Sequence, residues 1–104
     1  MIAVSIVQTG GKINSFTING HADFAERGED IVCAGASSIA QTAVLGLNLI
    51  AKAKVDIRKF DGSLSVKIDE PNESTEVILG TMILGLKDLA KQYPKHIKVI
   101  EEEK

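Results

Sequence analysis

Apolar and polar residues alternate from Met1 to Val7, with Ile2, Val4 and Ile6 set against Ala3 and Ser5. A period of two marks a strand with one buried face. Thr9-Gly10-Gly11-Lys12 follows, and its glycines supply the positive φ that a tight hairpin turn needs. Ile13 to Ile18, with Phe16 and Ile18 on one face, predicts a second strand that pairs back on the first. Gly20 ends that strand, and Ala22 to Glu29 reads as a polar, charged connecting loop.

The period then changes. Ile31 to about Ala53 predicts a long helix, with Asp30 as its N-cap. Gly35, Ser38, Thr42 and Gly46 recur at helical spacing and form a stripe of small residues that lets another backbone come close. Lys52 and Lys54 suit the negative end of the helix dipole. Val55 to Phe60 and Leu64 to Ile68 flank Asp61-Gly62, the strongest hairpin signal in the chain. Pro71-Asn72 breaks the second of these strands, and Glu73 to about Gln92 predicts a second helix. The apolar residues of that helix, from Val77 round to Leu89, cover more than the one stripe that packing on a sheet requires. The first helix or a partner subunit must cover the rest. Tyr93-Pro94 stops the helix, His96 to Ile100 is a last strand, and Glu101 to Lys104 reads as a solvated tail. The order is ββαββαβ. Hairpins demand antiparallel neighbours, so the class is α+β: one mixed, mostly antiparallel sheet with two packed helices.

Bulk properties narrow the possible functions. The 104 residues make one domain, 1–104, able to bury a single core. A net charge of -2 argues against a nucleic-acid binder, whose footprint is basic and clustered. From Ile31 to Ala51 no residue is charged, but the run is small rather than greasy, with Ser37, Ser38, Gln41, Thr42 and Asn48 in it. It reads as a buried helix and not as a membrane span. No signal peptide is recognised at the start. The single cysteine makes no internal disulfide, which fits a reducing, cytoplasmic setting. One cysteine and two histidines lack the paired spacing of a zinc site, and no glycine-rich phosphate loop is present, so no metal or cofactor is expected.

Chemistry concentrates between Gly20 and Ser37. The only cysteine, Cys33, lies twelve positions after His21. A helix that begins at Ile31 places Cys33 at its third position, where free amides and the positive dipole end favour thiolate, the reactive form. The same amides would serve as an oxyanion hole. His21 would act as base and then as acid for a leaving amine. Ser37 lies one turn on from Cys33, and Gln41 continues that face. Each residue also has a plainer reading: Cys33 as a small core residue, His21 as a surface or capping residue, Asp30 as no more than an N-cap, and Ser37 as packing. His96 reads as surface without a role.

Gly20-His21-Ala22, followed by Gly28, Asp30, Val32-Cys33-Ala34 and Ser37, resembles the ribosomal-processing cysteine protease family, called Prp. The resemblance covers most of the chain. It implies an endopeptidase that removes a short N-terminal extension from large-subunit ribosomal protein L twenty-seven, after a hydrophobic and usually aromatic pair. It implies Cys33 as nucleophile, His21 as base, and Asp30 and Ser37 in support. Gly20, Ala22, Gly28 and Ala34 of that motif, with Phe24 of the loop between His21 and Cys33, are expected to bind substrate. It also implies a homodimer, while the charge and the composition of the long helix leave no direct contact to nucleic acid or membrane expected. Gly35 stands where the family more often has alanine, a departure that touches helix propensity more than chemistry. A ribosome-associated protein of the same fold that binds without cutting is the alternative, and a structural or redox module the third. The Ala22–Glu29 segment reads as a lid in which Phe24 shields the scissile bond; its plainer reading is that Phe24 plugs the edge of the core.

Overall fold

The computed structural model describes residues 1–20 and 27–104, with the side chains of residues 27–30 outside the description. The order is β1 (Ile2–Thr9), β2 (Lys12–Asn19), α1 (Arg27–Leu49), β3 (Lys54–Phe60), β4 (Ser63–Asp69), α2 (Glu73–Gln92) and β5 (Ile97–Glu103). This is the expected ββαββαβ arrangement.

One five-stranded sheet runs in the order β3-β4-β2-β1-β5. Three neighbouring pairs are antiparallel, and β5 joins β1 in parallel. Gly10 and Gly11, at φ 61 and 80, close the first hairpin in the left-handed region that glycine enters without strain. Alternation decides which face is buried. Ile2, Val4, Ile6, Phe16, Val66, Ile68 and Ile97 all enter one core, into which both helices pack. From α1 come Val32, Ala36, Ala40, Ala43 and Leu47, spaced three and four apart on one stripe. From α2 come Leu79, Met82, Ile83 and Leu86.

The helices interlock through glycines. A Cβ at Gly35 would stand 3.4 Å from Leu89 of α2, and one at Gly46 would stand 3.4 Å from Ile78. In return, Gly85 of α2 faces Ile39 of α1 at 3.5 Å. The small-residue stripe therefore admits side chains, where a neighbouring backbone was expected. Part of the broad apolar surface of α2 is covered in this way. Val77 and Leu84 remain 65% and 71% exposed.

Four local expectations are corrected. First, α1 starts at Arg27, so Asp30 is not its N-cap and Arg27–Glu29 are not loop. A hydrophobic pattern marks where a helix becomes buried, not where its hydrogen bonding begins. Second, α1 stops at Leu49 and not near Ala53, because the backbone reverses through Lys52 at φ 51. The Ala53 N–H then reaches back to the Leu47 carbonyl at 2.8 Å. No basic residue lies in the last turn of α1; Lys54 instead opens β3. Third, Glu101–Glu103 are strand and not tail. The parallel ladder continues through Ile6–Glu101 to Gln8–Glu103, and the Lys104 N–H donates to the Gln8 carbonyl at 2.7 Å. Edge position leaves the acidic side chains in water, and the Lys87 ammonium donates to Glu101 at 3.1 Å. Fourth, β5 begins at Ile97, and His96 contributes its carbonyl to the Ile2 N–H at 2.8 Å.

Candidate active site

Cys33 sits on the stretch of α1 that faces the free end of the β3–β4 hairpin. Positions 33, 37, 40, 41, 44 and 45 form one stripe of that helix, and all six line a cleft of about 500 Å³. The opposite wall is the sheet: Ile18 of β2, Leu64 of β4, Ile57, Lys59 and Phe60 of β3, with Gly62 and Ser63 at the hairpin tip. The lining is mostly apolar. Cys33 is half-buried and packs against the core, while Ser37 is exposed. The cleft thus offers a reachable sulfur at one end of a channel shaped for apolar side chains. Clefts of this size and lining are typical of ligand sites.

The start of α1 changes the electrostatic argument. Cys33 is the seventh residue of the helix and not the third. The free amides and the dipole end belong to the turn that opens at Arg27, and the dipole effect fades within one turn. The free amides and the dipole end expected at Cys33 therefore lie at the helix start, six residues before it. His21, Ala22 and Phe24 lie outside the described residues, as does the lid segment up to residue 26.

Gly20, the last residue before His21, is described and is held tightly. Its N–H donates to the Gly62 carbonyl at 2.9 Å. Its φ is +117, and a Cβ there would meet the Met1 carbonyl oxygen at 2.5 Å. Only glycine fits this backbone. Ser63 Oγ donates to Asn19 Oδ1 at 2.7 Å, a second tie between the hairpin tip and the end of β2. The rim of the cleft beside Gly20 is therefore fixed by main-chain geometry.

The structure brings Gly20, Cys33 and Ser37 to one cleft. Ala34 is exposed and stands outside the lining. Gly28 and Asp30 fall in the first turns of α1. Sequence reasoning missed the far wall. Phe60 is 70% exposed beside the Asp61-Gly62 turn, and Ile57, Val44, Leu45 and Leu64 complete the apolar channel. A large aromatic next to a hairpin turn was the available signal. Among the described residues no group of His, Cys, Asp and Glu is placed to hold a metal ion.

Known proteins match the chain over nearly its whole length. Residues 1–98 match the family model described as cysteine protease Prp. A ribosomal processing cysteine protease Prp of Staphylococcus aureus is 34% identical over 103 residues, covering 95% of this chain and 97% of the relative. Two solved structures of the ribosomal processing protease Prp from S. aureus superpose closely. The one in complex with a substrate peptide has a TM-score of 0.92 at 30% identity, covering 98% of this chain and 100% of that chain. The one in complex with a covalently linked product peptide has a TM-score of 0.88 at 31% identity, with the same coverage.

Proposed function

Because this chain belongs to the Prp family of cysteine proteases, we propose that it removes the N-terminal extension of large-subunit ribosomal protein L twenty-seven, with Cys33 as nucleophile. The observation that carries this reading is the position of the single cysteine, half-buried in the wall of an apolar cleft. The apolar lining suits the hydrophobic pair that precedes the cut. The S. aureus relative solved with a substrate peptide supports a peptide ligand in this fold.

The proposed reaction uses two side chains. His21 takes the proton of Cys33, and the sulfur attacks the scissile carbonyl carbon. The C–N bond of the tetrahedral intermediate breaks as His21 returns the proton to the leaving amine. That step releases the trimmed ribosomal protein and leaves the extension as a thioester on Cys33. Water, deprotonated by His21, then attacks the thioester carbonyl, freeing the extension as a carboxylate and restoring the thiol. Ser37, one turn from Cys33 in the same cleft, supports the reacting pair. Asp30 is placed in support by its motif position. The chain acts as a homodimer in the cytoplasm, where its substrate is made. Exposed Val77, Leu84 and Ile50 favour association through the helical layer.

Incubation with a peptide that spans the extension tests the reading. The wild-type chain should yield two fragments by mass spectrometry, and His21→Ala should slow their appearance by about 10²–10⁴-fold, the usual worth of a placed proton-transfer group. An intact peptide after prolonged incubation with wild type would overturn the proposal.

A further inference from the structure

Strand β3 forms one edge of the sheet, and its outer main-chain groups open beside the cleft. Which residues those are follows from the register. The Gly20 N–H bonds to the Gly62 carbonyl, so position 62 turns its backbone toward β2. Alternate residues turn the same way, which directs Leu64, Val66 and Ile68 to β2 and leaves Ser63, Ser65 and Lys67 for β3. Their partners across the hairpin are Phe60, Arg58 and Asp56. Val55, Ile57 and Lys59 therefore point their N–H and C=O groups away from β4, out of the sheet edge. Ile57 and Lys59 are also lining residues of the cleft that holds Cys33.

Dimensions agree. The α1 stripe from Cys33 to Leu45 covers twelve residue steps, roughly 18 Å at 1.5 Å each. An extended peptide rises ~3.3 Å per residue, so about five residues fit along the channel. An extended chain laid there has unpaired amides of its own, and the β3 edge presents matching groups on residues that also line the apolar wall. Main-chain pairing supplies affinity in such strand addition, and side-chain pockets supply selectivity.

We propose that the substrate segment binds as a sixth strand, its backbone hydrogen-bonded to Ile57 and Lys59 on the free edge of β3 while its apolar side chains enter the cleft. The inference deepens the proteolytic reading and rests on it for the identity of the peptide. It also assigns Lys59 a recognition role that belongs to its main chain and not to its charge.

Backbone esters test the proposal with the protein unaltered. The substrate peptide is made with a single amide replaced by an ester at each successive residue before the cut. Strand addition predicts losses of about 10-fold or more in kcat/KM at alternate positions and less than ~3-fold between them, since each ester deletes one donor. A second arm compares Lys59→Pro with Lys59→Ala. Proline removes an N–H that β4 does not use, so the two variants should melt within a few degrees of each other. Lys59→Pro should raise KM by a further ~10-fold over Lys59→Ala. Uniform or absent ester effects, together with equal KM for the two variants, would overturn the proposal. So would a Lys59→Pro chain that loses its dimer while KM stays at the Lys59→Ala value, because the edge would then serve a second copy. Binding of the ester series to Cys33→Ala separates the two readings. Alternation in binding without wild-type cleavage sustains the edge and removes the catalytic assignment. A peptide neither bound nor cut removes both.

Discussion

Two hollows of nearly equal size flank α1. One lies between α1 and the β3–β4 hairpin, about 500 Å³, and holds Cys33. The other lies between α1 and α2, about 510 Å³, and is lined by Ser38, Ile39, Gly46, Ile78 and Met82 among others. Both are apolar, and both expose large side chains at the rim: Phe60 and Leu45 beside the first, Ile50 and Val77 beside the second. They differ in what else they contain. The first has a sulfur, a sheet edge and a rim pinned at Gly20. The second has the interlocked glycines Gly46 and Gly85 and no nucleophilic thiol among its lining residues. Volume and apolarity do not set the two hollows apart; the thiol and the pinned wall of the first do.

That contrast breaks most sharply at Cys33. Replacement by serine should keep the fold and reduce peptide cleavage by ~10³-fold or more, as loss of a nucleophile does in other proteases. Circular dichroism and steady-state turnover read the two parts. Turnover at the wild-type rate would make the two hollows equivalent again.

Next come the walls. Leu45→Asp places a charge at the rim of the first hollow, and Val77→Asp places one at the rim of the second. Leu45→Asp should lower kcat/KM by roughly 10-fold without changing the oligomeric state, since the exposed part of Leu45 is all that a bound peptide can cover, worth about 1–2 kcal/mol. Val77→Asp should weaken self-association in sedimentation at micromolar concentration. A monomeric wild type would leave the second hollow without a partner copy, and a Leu45→Asp chain with full activity would remove the peptide from the first.

The glycines give the smaller effects, and opposite signs. Gly20→Ala forces a side chain into φ +117 and against the Met1 carbonyl oxygen, so it should cost about 1–3 kcal/mol of stability. Gly35→Ala finds ordinary contact with Leu89 at 3.4 Å and gains helix propensity, so it should stabilise by ~0.5–1 kcal/mol. Thermal melts should therefore move in opposite directions for the same chemical change. Two shifts of the same sign would contradict the geometry described at one of the positions.

The readable parts of the sequence were those where local chemistry agrees with burial. Gly10-Gly11 and Asp61-Gly62 announce their hairpins, and α2 is bounded by Asn72 and Tyr93 as read, with Asn72 capping through Thr75 at 3.0 Å. The start of α1 was not readable from hydrophobicity, because its first turn, Arg27–Asp30, carries no apolar residue. This error also carried the mistaken dipole argument for Cys33. The last strand was shortened because three glutamates look like solvent, although an edge strand tolerates charge well. Cys33, Ser37 and Gly20 were legible as candidates from residue type and motif spacing. The far wall was not, since Ile57, Phe60 and Leu45 come together only through the pairing of β3 with β4 beneath α1.

Nucleophilic attack by Cys33 from the α1/β3–β4 cleft is the central proposal. Its most direct test is titration of the protein with a chloromethyl ketone built on the residues that precede the cut, following intact mass and peptide cleavage in the same samples. One adduct per chain is expected, carried on Cys33, with cleavage lost in direct proportion to the modified fraction. Cleavage that persists after Cys33 is fully modified would contradict it.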